Sequence, residues 1–182
     1  GEPWKDIHRA IFGTKPKIDL ATEDLDEQFL ELEYSLVKKY VFKHLGIKNY
    51  SSFELRRILQ GCLVSETTIS KIIEQCRHLG YIDDNDWIDV FVRHQRERNF
   101  GPKSIKMKLR AKGVPEHLIT GVLESADDSR SEQQRILHLL NTRYASRDLK
   151  QYKEKQKVIA ALVRKGFDLD QIYQAIKDSS PY

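Results

Sequence analysis

The sequence predicts an all-α protein: three tandem three-helix repeats of about 50 residues each, behind an N-terminal extension. Three observations predict it. Apolar residues recur at helical spacing almost everywhere from Phe29 onward, and no run alternates long enough to form a strand. Aliphatic positions also fall into step: Leu59, Leu109 and Leu162 align at separations of 50 and 53 residues. In the same register Leu55 meets Ile105 and Val158, Ile69 meets Ile119 and Ile172, and Ile73 meets Leu123 and Ile176. Units of this size bury their apolar faces on their neighbours, so an elongated, curved body is expected. The extension is expected at 1–35 and the repeats at 36–83, 84–127 and 128–182.

In the extension, Trp4, Ile7, Ile11 and Phe12 are spaced for a short amphipathic helix, and 13–17 reads as a loop. Seven acids follow between Asp19 and Glu33, with no Lys or Arg. They read either as a solvated helix start, where acids are favoured, or as a segment folded over a basic surface of this chain or a neighbour. Helices are then expected over 24–45, 52–61, 66–79, 84–98, 102–112, 115–125, 130–145, 148–165 and 168–178. Ser51 with Glu54, and Asp168 with Gln171, have capping-box spacing. Gly101-Pro102 places proline at a first helical position, where its missing N–H costs nothing. Gly80, Gly113 and Gly166 each follow a helix, where a left-handed residue is needed. In the first helix of each unit, Trp87-Val90-Phe91 matches Ile136-Leu139-Leu140 and Val37-Tyr40-Val41. His94 continues that face and is expected to pack inward.

Composition excludes several classes. Of 182 residues, 40% are hydrophobic and 32% charged, too apolar for wholesale disorder and too polar for a membrane protein. The longest aliphatic run, Val158 to Val163, is six residues, where a spanning helix needs about 20. No secretory signal is evident. Cys62 and Cys76 read as buried thiols in a reducing, cytoplasmic compartment. No two glycines are closer than Gly113 and Gly121, so neither a dinucleotide loop nor a P-loop can form. The histidines are scattered and no Cys-x-x-Cys pair exists. Asp83-Asp84-Asn85-Asp86 reads as a helix N-cap, since a calcium loop needs Gly at its sixth position and Glu at its twelfth. No catalytic group, cofactor or metal is expected.

The net charge is +4, but its distribution is uneven. Between Arg93 and Lys112 stand eight basic residues and one acid, Glu97. On the helix over 102–112, Ile105 and Leu109 point inward while Lys103, Lys106 and Arg110 form an exposed stripe, flanked by Lys108 and Lys112. On the preceding helix Arg93 and Arg96 share a face opposite Val90 and Phe91. Lys150, Lys153, Lys157, Arg164 and Lys165 extend the theme along one long helix. Like charges at such spacings repel, which points to an anionic partner; the plainer reading is a solvated face. The order of helices also suggests a helix-turn-helix. Its recognition helices would hold Lys71, Arg77 and Lys177 against seven acids, with Glu66, Glu116 and Asp168 at the ends that would meet phosphates. Operator reading is therefore not expected.

The runs Leu79-Gly80-Tyr81-Ile82-Asp83-Asp84, Phe91-Val92-Arg93, Gly101-Pro102-Lys103-Ser104-Ile105 and Leu109-Arg110-Ala111-Lys112-Gly113-Val114 resemble the RecX regulatory family. So do Leu162-Val163-Arg164-Lys165-Gly166-Phe167, Ile172 and Ala175-Ile176. The resemblance runs from about Leu36 to Lys177. It implies three three-helix repeats and a non-catalytic bacterial regulator of the RecA recombinase. Such a protein lodges in the groove of the RecA–single-stranded DNA filament and restrains ATP hydrolysis, strand exchange and co-protease activity. The positions matching the family's basic second repeat are Arg93, Arg96, Arg98, Lys103, Lys106 and Arg110. A monomer is expected, in contact with single-stranded DNA directly or through RecA. The alternatives are a nucleic-acid-binding module that works without RecA, and a helical scaffold for another acidic protein. Leu63 departs from the family pattern, standing where the other repeats have Gly113 and Gly166, so a different turn is expected there.

Overall fold

The computed structural model describes residues 5–14, 18, 24–125 and 131–179. Trp4, the loop over 15–17, Asp19, Glu23 and the repeat boundary at 127/128 lie outside the described residues. Among the described residues there is no strand. The helices are α1 (Arg9–Phe12), α2 (Leu25–Leu45), α3 (Ser52–Gly61), α4 (Glu66–His78), α5 (Asp84–Glu97), α6 (Pro102–Ala111), α7 (Glu116–Ser125), α8 (Glu132–Asn141), α9 (Tyr152–Arg164) and α10 (Leu169–Ser179). None is long and apolar enough to cross a membrane. The chain divides into two compact units, Gly1–Trp87 and Ile88–Tyr182.

In the first unit α2 and α3 pack on α4, and Val37, Val41, Leu55, Leu59, Ile69, Ile72 and Cys76 form the core. The short α1 seats Ile11 on this core, and Phe12 stacks on Phe29 with ring centroids 5.7 Å apart. One acid of the acidic stretch is a strut. Glu33 is 2% exposed, and its carboxylate accepts from the backbone N–H (3.1 Å) and the hydroxyl of Ser65, which caps α4. Ser52 is held in turn by Asp84, which accepts from its N–H at 2.7 Å and its hydroxyl at 2.6 Å, and by Arg77.

In the second unit α6 packs on α7, and α8 and α9 pack on α10. The carboxylate strut returns here: Glu132 accepts from the N–H of Asp168 at 3.0 Å, and Asp168 accepts from the N–H of Asp170. Before α7 the corresponding residue is Pro115, which has no N–H to satisfy, and no strut is needed. The aligned positions Leu55, Ile105 and Val158, Leu59, Leu109 and Leu162, and Ile69, Ile119 and Ile172 are all buried. In the set of Ile73, Leu123 and Ile176, Leu123 is only half-buried, beside buried Val122.

Several local expectations are corrected. On α5 the buried residues are Ile88, Val92 and Gln95, one position on from the expected face; Val90 and His94 are exposed. Ile88 and Val92 therefore align with Ile136 and Leu140 at 48 residues and with Val37 and Val41 at 51. The aromatic pair Trp87 and Phe91 suggested the wrong register because a buried Gln does not read as core. α8 stops at Asn141, where the Thr142 hydroxyl bonds the His138 carbonyl, and α9 starts only at Tyr152. Asp168 caps through Asp170 rather than through a box with Gln171, whereas Ser131 and Gln134 form a full box that the sequence did not bring to notice. Asp83 does cap α5, accepting from Asn85 and Asp86.

Leu63 makes the same turn as its glycine counterparts. Its φ is 56°, against 85° at Gly113 and 92° at Gly166. The N–H of the next residue reaches back to the carbonyl of Leu59, Leu109 or Leu162 in each case. The hydrogen bonds and the burial of Val64, Val114 and Phe167 hold a left-handed residue there, whatever its side chain.

Backbone meets backbone where α6 begins. The N–H of Gly101 donates to the Lys165 carbonyl at 2.8 Å, and that of Lys103 donates to the Gly166 carbonyl at 3.1 Å. A Cβ on Gly101 would lie 2.5 Å from the Gly166 carbonyl, and one on Gly166 would lie 2.3 Å from the Ser104 nitrogen.

These turns set two expectations for stability. Leu63→Gly should raise stability by about 1 kcal/mol, because a left-handed L-residue costs 1–2 kcal/mol and the side chain is 56% exposed. A lowered urea midpoint would contradict it. Gly80→Ala, with open space around its Cβ, should cost about 1 kcal/mol. Gly166→Ala should cost more than twice that, and Gly101→Ala should destabilise although its φ of −81° suits any residue. Equal costs at all three positions would contradict the close backbone contact.

Candidate nucleic-acid interface

The expected stripe on α6 is present but is not free. Lys106 pairs with Glu116 at 2.5 Å, and Arg110 forks onto the same carboxylate with two bonds of 2.8 Å. Lys103 reaches Asp168 at 2.5 Å. The acids at the starts of α7 and α10, which in sequence argued only against phosphate binding, are thus internal partners of the stripe. The first unit repeats the device 50 residues earlier, with Arg56 of α3 on Glu66 of α4. Arg110 and then Lys106 hold the Glu116 carboxyl down at about 2. Lys103 likewise lowers Asp168.

The remaining cations divide into three groups. Arg93 is exposed on α5, beside exposed Val90 rather than opposite it, and Arg96 is half-buried. Lys112 caps α6, with its ammonium 5.4 Å from the Phe91 ring. On α9, Lys153 and Arg164 are exposed, and Lys157 pairs with Glu154, which also takes Arg147. Lys150 is not on the helix: it lies in the preceding turn, its N–H held by Asp148. The third group gathers on Phe100, with Lys108 and Lys165 half-buried and Arg98 exposed. Lys108 donates to buried Gln95 at 2.7 Å and lies over the Phe100 ring, 2.9 Å from its centroid. Lys165, the C-cap of α9, donates to the Asn99 carbonyl at 3.3 Å and approaches the same ring at 5.1 Å. Arg98 stands 5.6 Å from it. Burial lowers both Lys108 and Lys165 from the usual ammonium range, aided by neighbouring cations.

Sequence reasoning missed Phe100, Gln95 and Arg143, whose charge bears on Lys165. An aromatic residue inside a basic run, directly before Gly101-Pro102, was the available signal for Phe100. Nothing local pointed to Arg143, which lies in the turn after α8.

Comparison with known proteins agrees with this architecture. Residues 83–123 match the family model described as RecX, second three-helix domain, and residues 131–176 match RecX, third three-helix domain. The chain is 30% identical over 130 residues to a regulatory protein RecX of Trichlorobacter lovleyi, covering 70% of this chain and 84% of that one. It is 27% identical over 170 residues to a regulatory protein RecX of Bacillus licheniformis, covering 90% of this chain but only 65% of that one. A crystal structure of a regulatory protein RecX shares the fold, with a TM-score of 0.66 and 21% identity, over 93% of this chain and 84% of that one.

The Glu116 site predicts a pH dependence. A carboxyl depressed in the folded state stabilises the fold above its unfolded value of 4.5, and the contribution is lost as pH falls toward about 2. Carboxyl NMR titration should therefore find Glu116 still ionised at the midpoint of ordinary glutamates. Arg110→Gln should raise its pKa, and an unshifted titration in that variant would show the pair to be unimportant in solution.

Proposed function

Because the chain belongs to the RecX family of regulatory proteins, we propose that it binds the RecA–single-stranded DNA filament in its groove and restrains RecA ATP hydrolysis, strand exchange and co-protease activity. The observation that carries this reading is the set of cations on α5, α9 and their turns that no internal acid answers. Arg93, Arg98, Lys150, Lys153, Arg164 and Lys165 have no ion pair among the described residues. A groove lined by nucleic acid and by acidic protein offers them partners. Lys103, Lys106, Arg110 and Lys157 are each paired with an internal carboxylate, which they can exchange for an external anion. Arg96, Lys108 and Lys112 complete the set. The proposed division is an extension at 1–35 and repeats at 36–83, 84–127 and 128–182, with the second and third repeats supplying the cations.

Co-binding tests the proposal. Affinity for single-stranded DNA should rise strongly when RecA and a nucleotide are present, and DNA-dependent ATP hydrolysis should fall at substoichiometric amounts of this chain. Binding to DNA that is indifferent to RecA would favour a stand-alone nucleic-acid module.

Charge reversal then locates the face. Arg93→Glu with Arg164→Glu should leave the melting temperature nearly unchanged, since exposed substitutions usually act within about 0.5 kcal/mol. Filament affinity should fall by roughly tenfold or more. If both residues meet DNA phosphates, the log–log salt slope should shrink by about 1.4, taking roughly 0.7 per contact. Contact with an acidic protein groove would weaken binding without that fixed change. Wild-type affinity in the double variant would make these residues a solvated face.

A further inference from the structure

Three cations gather where the turn between α5 and α6 meets the end of α9, and among the described residues no carboxylate pairs with them. Lys108, Lys165 and Arg98 surround Phe100 at 2.9, 5.1 and 5.6 Å from the ring centroid, and the charge of Arg143 acts on Lys165. Among the described residues no ion pair engages any of these side chains. The contrast with α6 is sharp, where Lys103, Lys106 and Arg110 each close on an acid.

Lys108 and Lys165 are half-buried, where like charges raise one another's free energy. Here the ring face, the Gln95 amide oxygen and the carbonyls of Asn99 and Arg98 offset part of that cost. These are dipoles and a quadrupole, none of which carries a net negative charge. The Lys108 and Lys165 ammonium groups are both pushed down by burial and by cations in the group. An anion with several oxygens would relieve both effects at once. Two ammonium groups and a guanidinium fork around one ring, with the charge of Arg143 bearing on Lys165, suit a phosphate better than a carboxylate, which has two oxygens and one charge.

The place is also held rigid. The backbone carbonyl of Lys165 is bound by Gly101, while its side chain reaches over Phe100, the residue before Gly101. A ligand here would bridge the α5–α6 turn to the end of α9 and tighten their junction.

We propose that Arg98, Lys108 and Lys165, set around Phe100, form a phosphate-binding site that takes a backbone phosphate of single-stranded DNA. The proposal rests on the filament reading for the source of the phosphate, but its test needs no RecA, so the two can fail separately.

Sodium pyrophosphate is the probe, titrated into the whole chain against sodium chloride at matched ionic strength. The melting temperature should rise with the logarithm of pyrophosphate concentration, and the Phe100 ring resonances should shift saturably. Lys108→Gln with Lys165→Gln should weaken pyrophosphate binding by roughly tenfold or more, while Lys177→Gln, at an exposed position on α10, should not. If the double variant fails to fold, the Phe100 resonances of the wild-type chain decide the outcome by themselves. A short oligothymidylate should displace pyrophosphate from the wild-type site. No saturable shift at Phe100 would overturn the site itself. Saturable binding without displacement by the oligonucleotide would overturn its assignment to a DNA strand.

Discussion

The second unit turns on a place where two chain segments touch without side chains. Gly101 and Gly166 approach so closely that a Cβ on either would fall within 2.5 Å of the other segment. The approach lets the open N–H groups at the start of α6 find the carbonyls of Lys165 and Gly166, which a helix N-terminus cannot satisfy from within. It also decides where charges lie. Phe100 precedes one glycine and Lys165 precedes the other, so the contact that joins the backbones also brings an ammonium to the aromatic ring. Lys103 is brought to Asp168 by the same geometry, across 65 residues of sequence.

Acids in this protein are placed with a consistent logic. Glu33 and Glu132 reach from the first helix of their groups to the starts of α4 and α10 and hold backbone N–H groups there. Glu66 and Glu116 neutralise cations on the preceding helix. None of these carboxylates answers the cations of the α5–α6 turn or the exposed ones of α9. Ion pairs at exposed positions contribute little to stability, so the arrangement matters more for where net positive charge remains. In the second unit it remains at Arg93, around Phe100 and along α9.

Most helices were easy to read because they carry chemical punctuation, which the end of α8 and the start of α9 lack. Ser51, Asp83 and Pro102 marked starts, and Gly80, Gly113 and Gly166 marked ends, all local signals. The face of α5 was not legible because a buried Gln95 and half-buried Trp87 and Phe91 reverse the usual correlation of polarity with exposure. Leu63 hid a turn that its hydrogen bonds impose despite the side chain. The basic residues were visible, but their fates were not: Lys103 and Asp168 meet only through the fold, as do Lys165 and Phe100. Arg110 and Glu116, six residues apart, were within reach of sequence reasoning, and counting acids only as repulsive to phosphate concealed the pair.

The central structural claim is the backbone contact between the start of α6 and the turn after α9, and amide hydrogen exchange tests it most directly. First-turn N–H groups of a helix normally exchange fast because no carbonyl within the helix accepts them. Here the amides of Gly101 and Lys103 should be protected to nearly the level of Leu109 in the core of α6. Exchange of both at the rates of an open helix end would contradict the contact, and with it the placement of Lys165 over Phe100.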